Sequence, residues 1–400
     1  MQIQEAENTG NSGRSFSLFN LGFRIFFLAA GLFAIIAMAV WSAIFHFDIT
    51  FSFGSIESSQ WHAHEMIYGY SLAVIAGFLL TAVKNWTGVQ TVTGKLLVGI
   101  FGLWVLARLL FMLGEQYLLI TAVFDILFSL SLLSAVAYPV FKVRQWNQSI
   151  LIVILSLLLT FNSLFYLGAF GVINNGVYWG NYGGLYLIIS LVLVMARRVI
   201  PFFIERGVDY EVKLYNSKWI DISIVSLLCL FVITELFVVD SNLPAWAALG
   251  VFIVSSVRLL GWHTKGIWSK SMLWSIYSAS WFISFGFLLI ACSYFFDVSK
   301  FLGVHALSVG GIGLITMGMM ARVALGHTGR DVSKPSKLIG YALGILVVAT
   351  FFRVVLPLVN SENYILWVGI SQLLWIMAFI IFTIVYLPIL SKPRIDNQPG

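Results

Sequence analysis

Residues 364–389 read YILWVGISQLLWIMAFIIFTIVYLPI, a run without a single Asp, Glu, Lys, Arg or His. The hydrocarbon core of a bilayer is about 30 Å thick and takes roughly 20 apolar residues to cross as a helix. This stretch is long enough to span it. The same reading, applied outward from here, finds hydrophobic runs between polar breaks at 22–45, 62–83, 93–113, 118–141, 149–169, 178–200, 219–239, 243–262, 271–295, 301–322 and 337–359. With 364–389 they make twelve spans. The expected fold is an all-α polytopic membrane protein, a single transmembrane domain over 1–400. It comprises a polar tail (1–20), a twelve-helix bundle (22–389) and a second short tail (390–400). The largest expected connector runs from Arg197 to Lys218.

Composition points the same way. Of 400 residues 60% are hydrophobic and 10% charged, with a mean hydropathy of +0.94. Soluble domains carry roughly 25% charged residues, so lipid must be the partner of most of this surface. The net charge of +6 reads as the excess of Lys and Arg that marks cytoplasmic loops, with no nucleic-acid partner implied. Cys229 and Cys292 are the only cysteines, which excludes a disulfide scaffold and a cysteine-ligated iron–sulfur cluster. The first sixteen residues are polar, with no basic segment leading into a short apolar one, so no cleavable signal peptide is expected.

The twelve spans distribute the basic residues unevenly. Arg14, Lys84, Lys95, Lys142, Arg144, Arg197, Arg198, Arg206, Lys213, Lys218, Lys265, Lys270, Arg322, Arg330, Lys334, Lys337, Lys392 and Arg394 fall on one side. The other side holds Lys300 among Asp48, Glu57, Glu115, Asp240, Asp297 and Glu362. The positive-inside rule then sets both termini in the cytoplasm.

Ionisable residues at membrane depth are costly and are functional candidates by default. His62, His64, Glu65, Arg108, Asp125, Glu235, His305 and Arg353 all fall in the outer third, near the non-cytoplasmic face. Arg108 and Asp125 flank one short turn and should pair. At 100° per residue, His62, Glu65, Gly69, Ala73, Ala76 and Leu80 form one stripe, and His64 and Tyr68 the next. On the tenth span, His305, Ser308, Ile312 and Met319 share a face opposite Gly303, Gly310, Gly311 and Gly318. The glycine face suits close helix packing, leaving the histidine face free. Neutral imidazole is an axial ligand for haem iron and also binds copper. His46 and His263 sit at span ends beside aromatic residues and read as interfacial. At the cytoplasmic ends lie Arg24, Asn85–Gly88, Arg197, Arg198 and the run Arg322 to Arg330. Gly326-His327-Thr328-Gly329-Arg330 is more specific than topology requires and makes a second candidate site, with His327 as a candidate metal ligand.

These motifs resemble one family. Trp61-His-Ala-His-Glu-Met66, running into Ala73–Val83 and Asn85-Trp-Thr-Gly88, resembles the NnrS family, bacterial polytopic membrane proteins associated with haem, copper and the response to nitric oxide. Leu21-Gly-Phe-Arg24 with Phe26-Phe-Leu28 is similar to its first-helix motif, and Arg198-Val-Ile-Pro-Phe-Phe203 to its sixth-helix end. His305–Gly310 with Met319–Arg330 resembles its tenth-helix signature. The likeness spans the first ten helices. Ile25 and Lys84 stand where the family commonly has Pro, and Tyr277 near where many members carry a His.

The resemblance implies a haem b-binding protein of nitric-oxide stress, with copper as a second candidate cofactor. His305 would be one axial ligand and His62 or His64 the other. Arg108 and Arg353 would meet the haem propionates, and Glu65 would orient a histidine. Twelve spans with histidines on the second and tenth are reminiscent of subunit I of haem–copper oxidases, by topology alone. Six histidines in total, with His263 and His327 on the wrong side, are too few for two haems plus a complete His-ligated metal centre. Two other classes stay open: a secondary transporter with a polar His/Glu/Arg site, and a membrane assembly partner of respiratory or denitrification enzymes. The transporter reading would call for repeats and for helices broken near the midplane, and neither is found.

Overall fold

The computed structural model describes residues 17–396 and 398, apart from 48, 50, 51 and 239. Arg14 and Asp48, used above for orientation, lie outside the described residues. Among those described there is no strand, and twelve helices are long and apolar enough to cross a membrane. They are α1 (Gly22–Phe47), α2 (Ser58–Thr87), α3 (Gly94–Met112), α4 (Glu115–Lys142), α5 (Trp146–Ala169), α6 (Gly176–Gly207), α7 (Lys218–Phe237), α8 (Leu243–Trp262), α9 (Ser271–Phe295), α10 (Lys300–His327), α11 (Lys337–Val359) and α12 (Tyr364–Ser391).

Each expected span is present. The differences fall at the ends. α6 continues through Pro201 to Gly207, so the expected connector from Arg197 shrinks to residues 208–217. α10 runs on to His327. Charge near a helix end stopped the sequence reading, whereas the helix itself stops only where its backbone does. At the end of α2 that stop is Gly88, whose φ of +70° is the left-handed conformation glycine adopts freely.

Successive helices pack as antiparallel neighbours, and α12 returns to lie along α1. The two ends of the chain meet there: Ser17 N–H donates to the Ser391 carbonyl at 3.4 Å, and Arg24 Nη1 donates to the carbonyls of Leu390 (2.9 Å) and Lys392 (2.7 Å). These bonds satisfy carbonyls that a helix C-terminus leaves open. α2 and α10 are the most enclosed spans.

The glycine face of α10 does what its spacing foretold. A Cβ on Gly303, Gly310, Gly311 or Gly318 would press on Ile290, Phe282, Ile283 or Ser275, all on α9. The backbones cross closely where Gly303 meets Gly286, each lying under the other's carbonyl. With α9 against its glycines, α10 presents its histidine face elsewhere.

Three helices depart from α geometry in a way the sequence stripes did not anticipate. Glu65–Ser71 in α2, Ala306–Gly313 in α10 and Phe351–Val355 in α11 are π-helical. A π turn takes up an extra residue and rotates the rest of its helix. The 100° stripe that starts at His62 and Glu65 therefore does not continue as spaced to Ala73, Ala76 and Leu80, and His62 and Glu65 themselves serve different sites.

Candidate functional site

The three π segments converge on one cavity. It has a volume of about 530 Å³ and is walled by α1, α2, α6, α10, α11 and α12. Met66, Ile67, Tyr70 and Ser71 come from the first π segment, Ser308, Val309 and Ile312 from the second, and Arg353 from the third. π turns recur at functional sites because they aim side chains that a regular helix would not. The remaining wall is largely aromatic and aliphatic, with Trp41, Phe45 and Trp375 among its members.

His62 and His305 both line this space. The His62 ring stacks on Trp41, centroids 4.7 Å apart and planes 9° from parallel. His305 Nδ1 lies 2.6 Å from the Phe301 carbonyl. A carbonyl only accepts, so Nδ1 carries the proton and the Nε2 lone pair is left for another partner. That partner is Arg353, whose Nη2 donates to Nε2 at 3.0 Å. Arg353 is the only Lys or Arg on the cavity wall, and its guanidinium also sits 5.5 Å from the Tyr364 ring centre.

Four buried polar atoms in this wall lack a hydrogen-bond partner among the described residues: His62 Nδ1, Asn181 Oδ1, Gln372 Nε2 and Arg353 Nη1. Buried polar groups are nearly always satisfied, and each exception calls for an explanation. Four in one cavity leave its wall with unused hydrogen-bonding capacity. Sequence reading missed Asn181 and Gln372, because an amide in an apolar run signals nothing until its neighbours are known. His46, read as interfacial, donates from Nε2 to Gln372 Oε1 at 2.9 Å and so holds that amide in place.

His64, Glu65 and Arg108 form a second group with Asp125. Glu65 Oε1 accepts from Arg108 Nη1, and Asp125 Oδ1 pairs with Arg108 Nη2. His64 sets Nδ1 3.1 Å from Glu65 Oε1 and Nε2 3.0 Å from Asn162 Oδ1. Asn162 donates to Asp125 Oδ2 (3.1 Å), as does Tyr166 (3.0 Å). Both His64 nitrogens are engaged within the quartet, and neither faces the cavity. The expected Arg108–Asp125 pair is present. Arg108 is committed to two carboxylates and, unlike Arg353, has no free reach into the cavity.

Comparison with known families matches the description NnrS protein over residues 17–394. The chain belongs to the NnrS family. Comparison with curated proteins gives no match.

The eight outer-third groups of this NnrS-family chain thus divide in three. His62, His305 and Arg353 share the cavity, and His64, Glu65, Arg108 and Asp125 form the buried quartet. Glu235 stands apart, paired with Lys300 and accepting from Tyr294 at 2.6 Å. His327 is at the other end of α10, about 30 Å from His305 at 1.5 Å per residue. Its ring lies 5.6 Å from that of Phe23 and its carbonyl accepts from Arg394 Nη1 at 3.1 Å. Arg322 lies over Phe203, 3.7 Å from the ring centre. Arg197 and Arg258 share Asp221, Arg198 donates to Gln148 at 2.8 Å, and Trp268 donates to His263 at 3.2 Å. Of the family departures, Tyr277 donates to the Leu259 carbonyl on α8 at 3.0 Å and is not part of the cavity wall. Among the described residues no three His, Cys, Asp or Glu side chains gather as a metal-binding group.

Proposed function

We propose that this NnrS-family membrane protein binds haem b in the cavity walled by His62, His305 and Arg353, and acts in the response to nitric oxide. The observation that carries the reading is the pair of histidines on one apolar cavity, one ring with an unpartnered Nδ1 and the other with its Nε2 lone pair held by the Arg353 guanidinium, which a metal at that nitrogen would displace. About 530 Å³ is in the range of sites that enclose small-molecule cofactors, which run roughly 300–1,000 Å³. His305 is the first ligand and His62, rather than the fully engaged His64, the second. Arg353 Nη1 is free to meet a propionate. The Phe301 carbonyl fixes the His305 tautomer, and Trp41 holds the plane of His62. Haem iron, when bound, would supply redox and diatomic-binding chemistry, a diatomic such as nitric oxide taking the place of one of the two imidazoles.

Copper is the second reading, favoured by two thioethers, Met38 and Met66, on the same wall as the two imidazoles. Soft sulfur with imidazole suits copper(I). The protein sits in the bacterial inner membrane with both termini in the cytoplasm, an orientation supported by the eighteen-to-one division of loop Lys and Arg.

Purification in detergent from cells with ample haem, followed by oxidised and reduced visible spectra and iron and copper analysis, tests this. A Soret band that disappears in His305→Ala and persists in His263→Ala is expected. Absence of haem in the native protein overturns the reading. Unchanged haem in both His305→Ala and His62→Ala overturns the choice of ligands.

A further inference from the structure

One hydroxyl pair away from the histidine cavity lies a second, smaller one. Its volume is about 100 Å³, and its wall comprises Phe27, Val74, Ile75, Phe78, residues of α6 from Leu191 to Ile200, Ile276, and Ile315 to Met320 of α10. Thr316 is the only polar side chain among them, and its hydroxyl already donates to the Ile312 carbonyl at 2.6 Å. The same oxygen is 2.6 Å from the hydroxyl of Tyr70, and Tyr70 lines the histidine cavity.

The two spaces are consecutive along the same helices. On α2 the first ends at Ser71 and the second begins at Val74. On α10 the first ends at Ile312 and the second begins at Ile315. Three residues are about 4.5 Å of helix rise, so less than one turn divides them. The far wall of the small cavity is half-buried at Val192, Met195, Val199 and Met319, side chains at the lipid-facing surface of the bundle.

We propose that this second cavity is a docking site for a small, uncharged, apolar gas molecule arriving from the hydrocarbon core of the membrane. Water has no partner there, and an apolar cavity of this kind stays dry. Engineered cavities of about 150 Å³ take benzene or xenon, and one of about 100 Å³ holds less than a ring-bearing ligand and enough for a diatomic. Gases of this class dissolve in hydrocarbon, so entry through half-buried Val199 and Met195 requires no aqueous path. The site stands on its own walls and is independent of what the histidine cavity binds.

Xenon is the probe. Crystals of the detergent-purified full chain, pressurised with xenon, should show an anomalous peak among Val74, Leu191, Ile315 and Met319. Ala196→Leu, which fills the space from the wall, should abolish it. Val199→Phe, which adds bulk on the half-buried lipid side of the same wall, should lower xenon occupancy severalfold and serves should Ala196→Leu fail to fold. No xenon in the native cavity, or an acyl chain seated there instead, overturns the proposal. The peak is read with or without haem, so its loss and the loss of haem binding are separate results.

Discussion

Asp125→Leu is the sharpest perturbation the buried quartet allows. Asp125 is fully enclosed and pairs with Arg108 while accepting from Asn162 and Tyr166. Its removal takes from Arg108 one of its two carboxylate partners and leaves Asn162 and Tyr166 without their acceptor inside the bundle. Breaking a buried pair from one side costs about 3–5 kcal/mol, and the orphaned Tyr166 hydroxyl adds about 1–3 kcal/mol. The single variant should therefore lose about 5 kcal/mol. Arg108→Met with Asp125→Leu removes the ion pair from both sides, so neither partner is left buried against a missing one. Only the orphaned hydroxyl and amide are then left to bear, about 2–3 kcal/mol. At roughly 2 °C per kcal/mol, near-ultraviolet circular dichroism on heating in detergent should show a fall of about 10 °C for the single variant and about 5 °C for the double. A double variant less stable than Asp125→Leu, or a single variant within about 2 °C of native, would refute charge balance as the force that holds this cluster.

Three further outcomes are expected from the same structure. Arg353→Met should weaken haem b binding about tenfold and leave binding of the haem dimethyl ester unchanged, a comparison made by Soret titration of apoprotein. Gly303→Val puts a branched side chain where a Cβ alone already meets Ile290 and the Gly286 carbonyl below 3 Å, and should cost about 1–3 kcal/mol as a lowered thermal midpoint. Beyond the membrane, the hydrogen bond from Arg394 holds the Asp396 carboxyl down at about 2. A depressed carboxylate stabilises above its unfolded value and loses that contribution as pH falls through the folded one. The contact of the C-terminal tail with Thr328 should thus be constant above about pH 4 and loosen toward pH 2, read as faster amide exchange at Ile395, whose N–H meets the Thr328 carbonyl at 3.3 Å.

Hydrophobic run length carried the spans almost to the residue, because lipid imposes a minimum that α8, α9 and α11 meet with little to spare at either end. Glycine spacing on α10 likewise identified its packing face, since only backbone contact needs four glycines there. The features that escaped concern rotation about the helix axis. A π turn leaves composition and hydropathy untouched yet re-aims every side chain beyond it, and His62 just before the turn and Glu65 at its start face different sites. Depth can be counted along the chain, and that count puts eight ionisable groups at one level. Rotation about each helix cannot, so their division into a cavity, a quartet and the Glu235–Lys300 pair awaited coordinates. Asn181 and Gln372 show the same limit: their significance lies in the partners they lack.

The clamp of Arg24 on the last carbonyls of α12 also bears on biogenesis. The cavity takes Trp41 and His62 from the beginning of the chain and Arg353, Gln372 and Trp375 from its end. While the ribosome is still synthesising α11 and α12, the early helices have already entered the membrane with that wall missing. Contacts so distant in sequence form late. The pocket is therefore complete only once the last helix is in place, and whatever occupies it must be delivered to a finished chain.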